Sequence, residues 1–201
     1  MKKLMILSAT LVAAVAAHAV EIKWSATGQL FDGRESPALV SSQPKVYLMV
    51  WYNKFGSKDT ILNAFVAANG NVDATVAAMK NSGWLATGEG IINSSSQLET
   101  TSSEFANWRD DKTNYSVYGV ILEDKRLCFT WSATATLDEE TGIATADLGP
   151  LNNLTQTIDA TLAVSSGRGY SADAWYVIPE PTTGLLVLLG LAGLALRRKQ
   201  K

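Results

Sequence analysis

The chain has 201 residues, a formal net charge of −2, six tryptophans, one cysteine and one histidine. Setting aside Lys2, Lys3, Arg197, Arg198, Lys199, Lys201 and Glu180 at the two ends leaves 11 basic and 18 acidic residues, a net charge of −7 for residues 20–178. An acidic body without clustered Lys and Arg argues against nucleic acid as a partner, and a lone cysteine excludes an internal disulfide framework and a thiolate metal cluster.

At the N-terminus, Lys2 and Lys3 form a charged n-region, residues 4–16 an apolar h-region, and Ala17-His18-Ala19 a small-x-small cleavage site. The pattern predicts a signal helix in residues 1–19, recognition by signal peptidase and the export machinery, and a mature chain starting near Val20. Ala17 and Ala19 are the cleavage-site residues. The only histidine, His18, leaves with this segment. Its loss removes Ser-His-Asp and Cys-His catalysis and every His-ligated metal site from the mature protein.

Residues 20–178 are enough for one domain with its own core. Runs rich in β-branched and aromatic residues, bounded by Gly, Asn, Asp or Ser, predict strands at 21–31, 45–52, 84–93, 115–122, 126–137, 142–148, 155–164 and 174–178. Asp138-Glu139-Glu140-Thr141-Gly142 has the chemistry of a short hairpin loop. The interruption lies at 59–82, where Ile61, Leu62, Phe65 and Val66 recur at helical spacing behind a capping Asp59, and Gly70 supplies a stop. A second short helix, capped by Asn71 or Asp73, runs through Val76 and Met79 toward Gly83. The expected fold is mainly β: an antiparallel β-sandwich-like domain with an inserted helical hairpin.

The chemical candidates within this domain are few. Cys128 lies in the 126–137 run, with Leu127, Phe129, Trp131, Ala133 and Ala135 on one face and Cys128 on the other, which predicts an inert, half-buried thiol. Asp110-Asp111 and Glu123-Asp124 would serve a glycosidase only if they faced each other across ~5–9 Å. Asp138, Glu139 and Glu140 lack the spacing of a Ca²⁺ loop. Gly88-Glu89-Gly90 and Gly167-Arg168-Gly169 lack the following helix of a phosphate site. Ser94-Ser95-Ser96 and residues 100–103 read as a solvated strand or loop. No catalytic residue, cofactor site or metal site emerges. The leading expectation is a non-enzymatic structural or interaction protein. The alternative is a carbohydrate-binding module stacking polysaccharide on some of Trp24, Trp51, Trp84, Trp108, Trp131 and Trp175, with a carboxylate-only hydrolase third.

The C-terminal segment, residues 179–201, carries the densest signal. Pro179-Glu180-Pro181 precedes 13 residues without a polar side chain, 184–196, and then Arg197-Arg198-Lys199 and Lys201. As a helix the run is about 20 Å long, short against a hydrocarbon core of roughly 30 Å. Thr182 and Thr183 extend it at one end, while Arg197, Arg198 and Lys199 snorkel at the other. The basic cluster stays cytoplasmic, which places everything before Pro179 on the far side of the membrane. Pro179 and Pro181 fix φ and bias Ile178 and Glu180 away from the helical region, favouring an extended segment at the membrane surface.

This order of elements closely resembles the PEP-CTERM sorting domain of Gram-negative bacteria that make extracellular polysaccharide. The resemblance implies that an exosortase-like membrane transpeptidase reads and removes the tail, sending the product to the cell surface or the exopolysaccharide matrix. By position, Pro179, Glu180 and Pro181 would be the sorting motif, residues 184–196 the transmembrane helix, and Arg197, Arg198 and Lys199 the cytoplasmic stop.

Overall fold

The computed structural model describes residues 17–26, 45–51, 57–86, 88–92, 98–130, 132–149, 156–167 and 174–180. The n- and h-regions expected to form the signal helix and the apolar run 184–196 lie outside these residues. Among the described residues, no helix is long and apolar enough to cross a membrane. Strands β1 (Ala17–Ala26) and β2 (Lys45–Trp51) precede helices α1 (Ser57–Ala67) and α2 (Val72–Asn81). Six strands follow: β3 (Gly90–Ile91), β4 (Leu98–Arg109), β5 (Asn114–Glu123), β6 (Arg126–Phe129), β7 (Ala133–Asp138) and β8 (Ile143–Asp147). The last elements are β9 (Gln156–Asp159), α3 (Ala160–Ser165) and β10 (Ala174–Val177).

Strand β5 is the hub of the sheet. One edge pairs antiparallel with β2, from Lys45↔Leu122 to Trp51↔Ser116. Its other edge carries β6 on the C-terminal half and β7 on the N-terminal half. Between them the register slips. Val120 faces Phe129, whereas Val117 faces Ala133, so three steps along β5 match four along its partner. One extra residue is a bulge, and with a side-chain period of two it reverses which face each later residue occupies. Cys128 and Ala135 therefore share one core, while Leu127 and Phe129 lie in the other. The thiol expected to be half-buried is fully enclosed, because both faces of β6 are covered.

Two branches leave this fork. β6 passes to β10 and then to β9; β7 passes to β8, β1 and β4. β3 pairs with β2, and an Ile92↔Leu98 bridge joins the residue after β3 to the start of β4. The order β4-β1-β8-β7-β5-β2-β3 thus meets itself in a ring through that single bridge. Two pairings, β1 with β8 and β9 with β10, are parallel. A single mixed sheet stands where an antiparallel sandwich-like arrangement was expected. Parallel neighbours require long crossover connections, and hairpin spacing along the sequence does not reveal them.

Alternation sorts the side chains into two cores. Inside the ring lie Ile22 and Trp24 of β1, Val46, Leu48 and Val50 of β2, Phe105 and Trp108 of β4, and Tyr115, Val117 and Ile121 of β5. The opposite faces of β2, β5, β6 and β10 present Met49, Tyr118, Val120, Phe129 and Tyr176 to Ile61, Leu62, Phe65, Met79 and Ala163 of the helices. Strands buried on both faces read as near-continuous apolar runs, which is the pattern of β2 and β5. At Gly119 a Cβ would stand 2.8 Å from Thr130 Cγ2 and 2.9 Å from Val46 Cγ1, so a side chain there would displace a neighbour.

The helical hairpin matches the expectation closely. Asn71 caps α2, its side chain accepting from the Ala74 N–H at 2.9 Å, while Asp59 sits inside the first turn of α1 rather than capping it. The run expected as one strand over 155–164 divides instead into β9 and α3. Asp159 causes the division: its carboxylate accepts from the Thr161 and Leu162 N–H groups at 2.8 and 3.1 Å, a strong N-cap. Among the described residues, the run expected over 84–93 keeps only β3 and two isolated bridges, Met49↔Leu85 and Ile92↔Leu98. β4 is the longest strand, at 12 residues, and its outward Thr and Ser residues disguise it as a solvated segment.

Candidate functional site

The sorting motif directly follows the last strand, β10. β10 lies between β6 and β9, with Trp175 opposite Cys128 and Val177 opposite Arg126. Trp175 enters the ring core and Tyr176 the helix-covered core, so the strand is anchored on both faces. The residue after it is anchored as well: Ile178 is 8% exposed, and its N–H donates to the Lys125 carbonyl at 2.9 Å. Pro179 and Glu180, immediately following, are exposed.

Two turns converge on Ile178. Asp124 and Lys125 form the two-residue turn between β5 and β6, with Lys125 at φ 60°. The α1–α2 turn brings Asn69 and Gly70 alongside. The Lys125 N–H donates to the Gly70 carbonyl at 3.2 Å and its Nζ to the Asn69 carbonyl at 2.7 Å. Gly70 has φ 74°, and a Cβ there would lie 2.8 Å from the Lys125 Cα and 3.1 Å from Ile178 Cγ1. Positive φ and close approach both call for glycine. Beneath this clamp Arg126 Nη1 meets Glu123 Oε2 at 3.4 Å, and its guanidinium lies 4.2 Å from the centre of the Trp175 ring. Burial lowers the Arg126 pKa, and the Glu123 carboxylate opposes that shift.

The proposed signal-cleavage residues occupy another corner. Ala17 and Ala19 are exposed at the start of β1, with Ala17 opposite Arg109 and His18 opposite Trp108. His18 Nδ1 lies 2.6 Å from Asp110 Oδ1. Pro181, Arg197, Arg198 and Lys199 lie outside the described residues.

The remaining candidates are placed as follows. Asp110-Asp111 and Glu123-Asp124 flank opposite ends of the ten-residue β5, about 30 Å apart at strand rise, too far for a shared glycosidic bond. Glu89 of the Gly88-Glu89-Gly90 segment pairs with Lys45 Nζ at 2.7 Å and accepts from the Tyr47 hydroxyl at 3.3 Å. Burial first, then the Glu89 charge, pushes Tyr47 up to about 12. Asp138 accepts from the Glu140 and Thr141 N–H groups in the exposed β7–β8 loop, which lowers its pKa. No group of three or more His, Cys, Asp or Glu that would hold a metal occurs among the described residues. Trp24, Trp108 and Trp175 are interior, and Trp84 packs partly buried against both cores. A shallow groove of about 360 Å³, lined by Lys23, Ser25, Thr100, Thr145, Ala146 and Asp147, runs along the outer face of β1 and β8.

Sequence reasoning found the motif but not its clamp. Gly70 was legible as a helix stop and Lys125 not at all, since a positive φ at a lysine carries no composition signal.

Comparison with known proteins agrees with the tail. Residues 177–199 match the model of the PEP-CTERM protein-sorting motif. The motif implies export, a membrane-anchored precursor and exosortase-mediated processing. Its first two matched residues, Val177 and Ile178, belong to the folded domain. No curated protein matches the chain. Among solved structures, the chain is similar to the fimbrial protein FimP from Actonomyces oris at 14% identity and a TM-score of 0.21. The match covers 70% of this chain and 30% of that one, so this chain spans under a third of that structure. A TM-score this low carries no argument about fold or role.

Proposed function

We propose that this is an exported protein with a non-enzymatic structural or interaction role at the cell surface or in the exopolysaccharide matrix. Ala17 and Ala19 mark signal-peptide removal, Pro179, Glu180 and Pro181 are the processing motif, and Arg197, Arg198 and Lys199 hold the precursor in the membrane until the tail is cut. One observation supports this division of labour above the others. Ile178 is buried in the domain, and the motif starts exposed at the next residue, so a cut beyond it leaves the core residues in place. The carbohydrate-binding alternative draws less support from the fold, because Trp24, Trp108 and Trp175 fill the interior instead of a surface platform.

Glu180→Ala in the exporting cell tests the reading. The expected result is an exported but membrane-retained species, heavier than the processed wild type by the mass of the tail. Release of the variant at the wild-type processed mass would overturn it.

A further inference from the structure

We infer that the end of the domain formed by Asn69, Gly70, Asp124 and Lys125 is a docking surface for the membrane-bound enzyme that cuts the tail. The inference rests on the sorting reading above and adds a second recognition element to it. The geometry is one of missing spacer. The last buried residue among those described is Ile178, held by the Lys125 carbonyl at 2.9 Å and packed against the Gly70 backbone. The apolar run starts at Gly184. Only residues 179–183 separate the two, and five residues reach at most about 18 Å fully extended.

A domain of this size has a radius of gyration of about 15 Å. An enzyme gripping a segment that short therefore touches the end of the domain from which it emerges. That end is defined: the exposed Asp124 tip of the β5–β6 turn beside the α1–α2 turn, tied by Lys125 Nζ to the Asn69 carbonyl. Because the clamp fixes Ile178, the residue just before the tripeptide, to these turns, the domain end and the start of the motif approach the enzyme as one preorganised body. Preorganisation lowers the ordering cost of binding, and a flexible spacer would discard that advantage.

Two variants of the full-length protein, expressed in the exporting cell and followed by intact mass over time, provide the test. Inserting Gly-Ser-Gly-Ser between Ile178 and Pro179 preserves the clamp, the motif and the distance from motif to membrane run, but detaches the motif from the domain end. Asp124→Arg keeps the motif flush and alters only the exposed tip. Processing of each is expected to slow about tenfold, with the melting temperature of the released domain unchanged. Wild-type or faster processing of either variant overturns the docking assignment, since a domain that merely obstructs the enzyme would be relieved by the spacer. Failure of the sorting reading looks different: Glu180→Ala would then be processed normally as well.

Discussion

The two cores treat polarity differently. Inside the ring, the Trp24 indole N–H donates to Ser103 Oγ at 2.9 Å, and Trp108 meets Tyr115 edge-on at 4.8 Å between ring centres. The helix-covered core has a charge at its border. Lys58, in the first turn of α1, is 3% exposed, with Nζ 4.6 Å from the centre of the Tyr118 ring. The ring core has its own border charge, the Arg126 guanidinium over the Trp175 ring, paired with Glu123, whereas Lys58 lies over aromatic rings. A helix layer is attached through side chains, and its first turn brings a lysine along. Burial of Lys58 should therefore make the stability of the outer core respond to pH in the mildly alkaline range.

The largest expected effect tests whether the cores are one unit. Trp24→Ala and Phe65→Ala each delete a fully buried ring, one from each core, at a cost of about 3–5 kcal/mol. β2 and β5 supply residues to both cores, so urea denaturation should show one common transition moved to lower midpoint in either variant. Two separated transitions in Phe65→Ala would mean that the helix layer unfolds by itself.

A smaller effect sharpens the contrast in charge. Burial lowers Lys58 to about 8, against 10.4 for a free lysine. Between those values the unfolded chain holds more protons than the folded one, so stability rises with pH. The wild type should gain about 2 kcal/mol between pH 8 and pH 10, and Lys58→Met should flatten that rise. Tyr47 acts in the opposite sense and higher: with its pKa raised to about 12, its contribution is complete below pH 10 and lost as pH climbs through 12. An equal rise in Lys58→Met would place the source elsewhere.

The smallest effect probes the helix layer alone. Asn71→Ala removes the cap on α2 and should cost about 1 kcal/mol, read as a modest fall in urea midpoint with the ring strands keeping their hydrogen-exchange protection. Loss of protection in β1 and β8 would tie the layers more tightly than their contacts suggest.

Local chemistry was readable because it needs only neighbours in the chain. Asn71 accepts from a residue three positions on, and the loop 138–142 closes through Asp138 with Gly142 at φ 69°. Both were legible as caps and turns. The α3 helix was not, because four residues of Ala, Leu and Val after Asp159 fit either period until the cap is seen to form. β4 was missed for the opposite reason. Its inward Ser103, Phe105 and Trp108 are spread by an irregular register against β1, so no clean alternation survives in the sequence.

The sorting signal and the short-range parts of the fold were written in the sequence: the tripeptide and apolar run, the capped helical hairpin, the tight turn between β7 and β8. Those features depend on fixed φ, on hydropathy and on hydrogen bonds spanning a few residues. It took tertiary packing to place β1 parallel to β8, to carry Cys128 and Ala135 into the same core across the bulge between β6 and β7, and to set Gly70 and Lys125 around Ile178. The first and the last of these bring together backbone segments some 50 to 120 residues apart, and the bulge shows only in how β6 and β7 both pair with β5. Such pairings are selected by how whole faces pack, and that information resides in no single stretch of chain.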